Sequence, residues 1–182
     1  MPQFRRLPAL PHIGLGGYMY PYTGIIQTML HDIKFYGNFR LGAILKAYGF
    51  AACIPSIFWD VEAVICVPSH WMRQLWRGRP HIPFLFSEVL HQVNYQPRAI
   101  RAKRYSRPSV GLSRHQRLTA KRYDRFRWIG PVPQSVTVID DVCTTGATLS
   151  DVARCLKAAG VRDIYALTLG HQSLEKEGDA VY

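Results

Sequence analysis

Val136-Thr137-Val138-Ile139-Asp140-Asp141-Val142-Cys143-Thr144-Thr145-Gly146-Ala147-Thr148-Leu149 decides how the rest of this chain is read. It opens on a short run of β-branched apolar residues, the pattern of a buried parallel strand. Two adjacent carboxylates end that run, and a turn of small and hydroxyl residues follows. Leu149, Val152, Ala153, Leu156 and Ala159 then recur at helical spacing. The order is strand, acidic pair, tight loop, helix. A plain strand–turn–helix with a threonine N-cap would explain the hydroxyls. It gives no reason for two carboxylates side by side at the strand end.

A loop entering a helix presents unsatisfied backbone N–H groups and the positive end of the helix dipole, which suits a phosphate. Gly146 can take backbone angles closed to other residues and let an anion approach the main chain. Thr144, Thr145 and Thr148 can add hydroxyl donors, while Val142, Cys143 and Ala147 contribute main chain. Asp140 and Asp141, ionised, are acceptors for the two hydroxyls of a vicinal diol. A phosphate site beside a diol site fits a ribose 5-phosphate.

Apolar strand, Asp-Asp and Val-Cys-Thr-Thr-Gly-Ala-Thr in this order resemble the phosphoribosyl pyrophosphate signature of the type I phosphoribosyltransferases. Other segments resemble the ComF/GntX branch of that family. Lys34, Phe35 and Gly37 match a Lys-Phe-x-Gly at the end of the first helix. Pro68, His70, Arg73, Arg77 and Gly78 match a Val-Pro-x-His…Arg…Arg-Gly segment, where Arg79-Pro80-His81 replaces Phe-Asn-Gln. Arg104, Ser106, Leu112, Ser113 and Arg117 keep the spacing of a third block, in which Ser109 and Ala120 stand where the family has Gln and Asn.

This resemblance implies an α/β fold of the type I phosphoribosyltransferase kind, a Rossmann-like parallel sheet with flanking helices and a small hood. Residues 1–60 would be an N-terminal arm and helical pair serving as hood or packing segment, and 61–182 the core. The zinc module that usually precedes this core in ComF-like proteins is not expected here, so the chain reads as a shorter variant or one with a late start.

The implied chemistry displaces pyrophosphate from an anomeric carbon by a nitrogen nucleophile, through an oxocarbenium-like transition state that needs positioning and charge stabilisation. Asp140 and Asp141 would hold the ribose hydroxyls and organise Mg²⁺ indirectly, with no metal bound directly by the protein. Residues Val142 to Thr148 would hold the 5-phosphate, and Mg²⁺ would keep water ligands. Pro68 and Ser69 begin the loop assigned to pyrophosphate. Arg73 or Arg77, with Arg104, would stabilise the departing group through paired, charge-assisted hydrogen bonds. His70 could be a general acid, a phosphate donor or a cap. Lys34 is either a further site residue or a partner of its own helix dipole.

The formal charge of +11 is concentrated between Arg98 and Arg127, where eleven basic residues meet one acid, Asp124. That is a local polyanion-facing surface. With Tyr105, Tyr123 and Phe126 interleaved, it suits single-stranded DNA as well as a diphosphate. ComF resemblance correspondingly implies a role in natural competence, with DNA or competence proteins as partners. A ligand-sensing regulator is the third reading, and a dimer is a common state for such domains.

No apolar run reaches the length of a membrane span, so a cytoplasmic location without membrane insertion is expected. Cys53, Cys66, Cys143 and Cys155 show no C-x-x-C spacing and indicate neither zinc nor a disulfide framework. Cys66 and Cys155 are expected as buried thiols, and Cys143, near a helix N-terminus, as one with a lowered pKa.

Along the chain, Met1 to Thr23 reads as an irregular arm. Ile26, Met29, Leu30 and Ile33 mark one helix face, ending at Gly37. Leu41, Ile44, Leu45 and Tyr48 mark a second. Strands are predicted over 61–67 and 163–169, with a helix starting at Pro83 between them.

Overall fold

The computed structural model describes residues 2–68, 80–102 and 125–173. In chain order these form β1 (Arg5–Arg6), β2 (Leu15–Pro21), α1 (Gly24–Tyr36), α2 (Phe39–Ala47) and two short 3-10 turns (Phe50–Cys53, Ser56–Phe58). There follow β3 (Ala63–Cys66), α3 (His81–Leu85), α4 (Ser87–Leu90), β4 (Ile100–Ala102), β5 (Phe126–Trp128), β6 (Ser135–Cys143), α5 (Ala147–Ala159) and β7 (Asp163–His171). The main sheet has the order β1-β2-β7-β6-β3. β2, β7, β6 and β3 are parallel, and β1 closes one edge antiparallel to β2. β4 and β5 form a separate antiparallel ribbon.

The fold is therefore α/β, a mainly parallel sheet with helices on both faces, as expected. The reason lies in the apolar patterning. Val136 to Asp141 of β6 is buried without interruption, and so are Ala166 to Gly170 of β7. Strands that hide both side-chain directions need cover on both faces. On one face α1, α2, α3 and the 3-10 turns pack Met29, Leu30, Ile33, Leu45, Phe50, Phe58 and Phe86 against Val64, Ile139, Leu167 and Leu169. On the other, α5 packs Leu149, Val152 and Leu156 with Leu7 and Phe126 against Ile65, Val138 and Ala166. The β2-to-β3 and β6-to-β7 connections travel in opposite directions along the sheet. A single handedness of crossover then places their helices on opposite faces.

Helix ends follow the sequence closely. Gly37 and Gly160 terminate α1 and α5 at φ 66° and 109°, the left-handed C-cap geometry in which glycine is favoured. Elsewhere two expectations change. The first concerns Met1 to Thr23, which is not an irregular arm throughout: Leu15–Pro21 is an inner strand, parallel to β7. Its glycines are there for close approach. A Cβ on Gly17 would lie 2.1 Å from Phe4 and one on Gly16 3.0 Å from Leu7. Residues 15–21 thus share one sheet with the strands that follow residue 61.

The second change is the buried face of α2, formed by Gly42 and Leu45, whereas Ile44 and Tyr48 are exposed. A Cβ at Gly42 would meet Phe84 at 2.7 Å. Helix α2 presses its glycine onto α3 and turns Ile44 outward.

Candidate functional site

β6 runs two residues past its carboxylates, so the acidic pair sits inside the strand's last turns of pleat and not beyond its end. Asp140 is 8% exposed and Asp141 3%. Burying two carboxylates is costly unless each finds donors. Asp140 Oδ1 accepts the Asp141 N–H at 2.9 Å, and Asp141 Oδ1 accepts the Val142 N–H at 2.9 Å. Asp141 Oδ2 receives two side chains from elsewhere in the chain. Lys34 Nζ, in the last turn of α1, lies 2.6 Å away, and His81 Nε2, at the start of α3, 3.1 Å away.

The two carboxyl groups are pushed in opposite directions. Burial drives the pKa of Asp140 well above the usual carboxylate range, reinforced by the negative charge of Asp141 beside it. Burial acts on Asp141 in the same sense, but the His81 hydrogen bond and the Lys34 charge outweigh it and hold its pKa below that range. Adjacent acids with separated titrations are the arrangement expected where one carboxyl keeps its charge and the other shares a proton with it.

α1 starts just past the carboxyl end of β2 and packs on the face of the sheet beside the carboxyl end of β7, which brings its last turn to the pair. A Cβ on Gly170 of β7 would sit 3.2 Å from Tyr22 and 3.4 Å from Leu30; glycine there lets the helix start settle onto the sheet. Ligand crevices of parallel sheets lie at this end.

After Cys143 the chain turns through Thr144 and Thr145, both exposed, into α5. Gly146 is the N-cap at φ 72°, the left-handed conformation the sequence predicts for it. No side chain caps the helix at that residue. Thr145 Oγ1 accepts the Ala147 N–H at 3.4 Å, and Thr148 is half-buried in the first turn. The N-terminal segment also touches this loop: a Cβ on Gly146 would fall 2.3 Å from Leu10 Cδ2. Gly146→Ala is accordingly expected to cost about 1–2 kcal/mol, from the positive φ and the contact together. In a double-mutant cycle with Leu10→Ala, followed by urea unfolding, only the contact part should be recovered. Full recovery would show that the backbone angle carries no cost.

Cys143 departs from expectation. Its thiol pKa is raised to about 11, by burial first and by the charge of Asp140 second, against a lowering backbone hydrogen bond from Gly146. A cysteine that completes the buried edge of β6 gains little from a nearby helix N-terminus. Cys66 is raised further, to about 12, by burial above all. Cys155 is half-buried.

Of the residues singled out in the sequence, Asp140, Asp141, the 142–148 loop and Pro68 at the end of β3 are brought to one end of the sheet; Val67 N–H bonds the Ile139 carbonyl at 2.8 Å there. Ser69, His70, Arg73, Arg77 and Arg104 lie outside the described residues, as does most of the basic segment. Its described flanks place Arg101 opposite Arg127 across the β4–β5 ribbon, both exposed, and Arg125 3.4 Å from Asp151. Sequence reasoning missed His81. The available signal was a negative one, since His81 falls where the Phe-Asn-Gln of the resembled segment is replaced. Lys34, read as a dipole partner or a site residue, points to Asp141 on β6.

Among the described residues, no group of three or more His, Cys, Asp or Glu side chains is placed to hold a metal ion, and no helix is long and apolar enough to cross a membrane. A cleft of about 290 Å³ lies at the amino end of β7, lined by His12, Lys157 and Arg162 among others. Its cations are engaged, Lys157 with the Arg162 carbonyl and Arg162 with Gln134.

No family model matches the chain, and no curated protein matches it. Among solved structures, adenine phosphoribosyltransferase from Trypanosoma brucei, in complex with AMP, pyrophosphate and ribose-5-phosphate, is similar over 99% of this chain and 93% of its own. It is 11% identical, with a TM-score of 0.39. A likeness of that degree assigns no function.

Proposed function

We propose that this chain binds phosphoribosyl pyrophosphate, with Mg²⁺, at the carboxyl end of β6. The observation that supports the reading is the adjacency of two buried carboxylates to a glycine-turned loop that opens α5. Asp140 and Asp141 accept the ribose 2- and 3-hydroxyls, and the main chain of Val142 to Thr148 holds the 5-phosphate at the helix N-terminus. Two acids do not by themselves make a metal site. Asp141 is already matched by Lys34 and His81, so the donor set suits a cation that arrives on diphosphate oxygens and keeps its water. Magnesium, when bound, supplies charge neutralisation on the diphosphate; Asp140 and Asp141 are the residues that would orient it through the ribose.

Transfer of the phosphoribosyl group to a nitrogen acceptor is the activity proposed, with Arg73, Arg77 and Arg104 as the cations for the leaving pyrophosphate and a ComF-like competence role as its setting. Enzymatic turnover needs these groups to close around the bound donor and exclude water.

The test is calorimetric titration with phosphoribosyl pyrophosphate and Mg²⁺ of the parent protein and of an Asp140→Asn/Asp141→Asn variant. Saturable heat from the parent, absent from the variant, is expected. No heat from a folded parent would remove the ligand assignment and make single-stranded DNA, at the basic segment, the next titrant.

A further inference from the structure

Lys34 occupies a position that charge balance alone does not require. Asp141 Oδ1 has the Val142 N–H, and Oδ2 has His81, whose side chain is as buried as that of Asp141, at 4% exposure each. Lys34 is a second donor on Oδ2, and its side chain is 32% exposed. Nor is the dipole of its own helix its only partner, because its ammonium lies 2.6 Å from a carboxylate on β6. A long flexible stem, a compact charge and an exit to solvent are the properties of a cation that can change partners.

The faces of the sheet say which partner. α1 and α3 pack on one face, α5 on the other. Lys34 and His81 therefore approach Asp141 from the side opposite the helix whose N-terminus takes the 5-phosphate. A ribose with its hydroxyls on the acidic pair and its 5-phosphate at α5 turns its anomeric carbon, and whatever anion that carbon bears, away from α5.

We infer that Lys34 is a direct contact for the diphosphate of the ligand, exchanging its bond to Asp141 Oδ2 for one to a diphosphate oxygen. This rests on the reading of the site given above. On its release from Asp141, His81 and the Val142 N–H keep that carboxylate oriented toward the diol. Lys34 thus couples the arrival of the diphosphate to the availability of Asp141 as a hydroxyl acceptor.

Two ligands that differ only at the anomeric position separate this role from a structural one. Affinities for ribose 5-phosphate and for phosphoribosyl pyrophosphate, both with Mg²⁺, are compared by calorimetry in the parent, Lys34→Met and Lys34→Gln. Glutamine retains a donor for Asp141 and guards against loss of folding in the methionine variant. Both variants are expected to weaken phosphoribosyl pyrophosphate by about tenfold or more, the scale of one charge-assisted bond, and to leave ribose 5-phosphate within about threefold. Equal weakening of both ligands would mean that Lys34 acts only by holding Asp141, and would overturn the inference; so would unchanged affinity for both. A parent that binds neither sugar fails at the earlier step, the site itself.

Discussion

Asp140→Asn is expected to stabilise the protein while removing most of its affinity for ligand. The burial that raises the pKa of Asp140, together with the neighbouring Asp141 charge, means that the ionised form costs the folded state energy. An unfolded Asp titrates near 3.9. Between that value and the raised folded one, the folded protein keeps a proton that the unfolded chain has released. Stability therefore falls as pH rises through that window, and the cost is fully present above it. Asparagine has the shape of the protonated acid. Its oxygen can still accept the Asp141 N–H that Asp140 Oδ1 accepts now, and its amide can donate to the Asp141 carboxylate. A gain of about 1–2 kcal/mol at neutral pH is expected, shrinking toward pH 4, below which Asp140 becomes protonated in both states. The same amide cannot accept a diol as a carboxylate does, so affinity for phosphoribosyl pyrophosphate should fall at least about tenfold. Urea unfolding from pH 4 to 8, with calorimetry at pH 7, checks both halves. A variant no more stable than the parent at neutral pH would mean that the Asp140 carboxylate is well solvated after all. Opposed effects on stability and binding are what a residue kept for function produces.

How much of this was legible in the sequence differs from element to element. β6, its acidic pair, the left-handed Gly146 and the α5 stripe of Leu149, Val152 and Leu156 were all readable, because each follows from local patterning or from a backbone angle only glycine takes easily. β2 was not. Leu15-Gly16-Gly17-Tyr18 looks like a loop until Phe4 and Leu7 fold back onto it, and local patterning does not encode that packing. Of the α2 face read from the sequence, Leu41 and Leu45 do pack on the core while Ile44 and Tyr48 do not; a helical glycine carries no hydrophobic signal, and the contact of Gly42 with Phe84 is purely tertiary. The same holds at the site. Asp140 and Asp141 announce themselves as neighbours in sequence. Lys34 and His81 reach the same oxygen from positions far upstream of Asp141 in the chain, a convergence no periodicity encodes. Arg73, Arg77 and Arg104 fall outside the described residues, so their part in the proposed chemistry rests on resemblance.

His81→Leu should be among the most damaging single changes to stability in this site. His81 and Asp141 are both almost fully buried, and their hydrogen bond is the largest influence lowering the Asp141 pKa. Leucine fills much of the volume but donates nothing. Loss of a hydrogen bond to a charged group costs about 1.5–3 kcal/mol. Lys34 stays on the same oxygen, and the expected loss lies within that range, about 2–3 kcal/mol. The pH dependence identifies the cause. A depressed folded pKa contributes stability that is full above the unfolded value near 3.9 and is lost as pH falls below it. With His81 removed the depression is smaller, so the deficit of the variant should be largest at neutral pH and should narrow as acid protonates Asp141 in both proteins. His81→Gln, which can place an amide donor near Oδ2, should lose only about 1 kcal/mol. If the leucine variant showed the same deficit across the whole acid range, the cost would be one of packing, and His81 would have no claim on the charge of Asp141. If glutamine recovers the loss and the deficit follows pH, a residue that stands where the resembled pattern breaks down is the one that fixes the orientation of the second carboxylate.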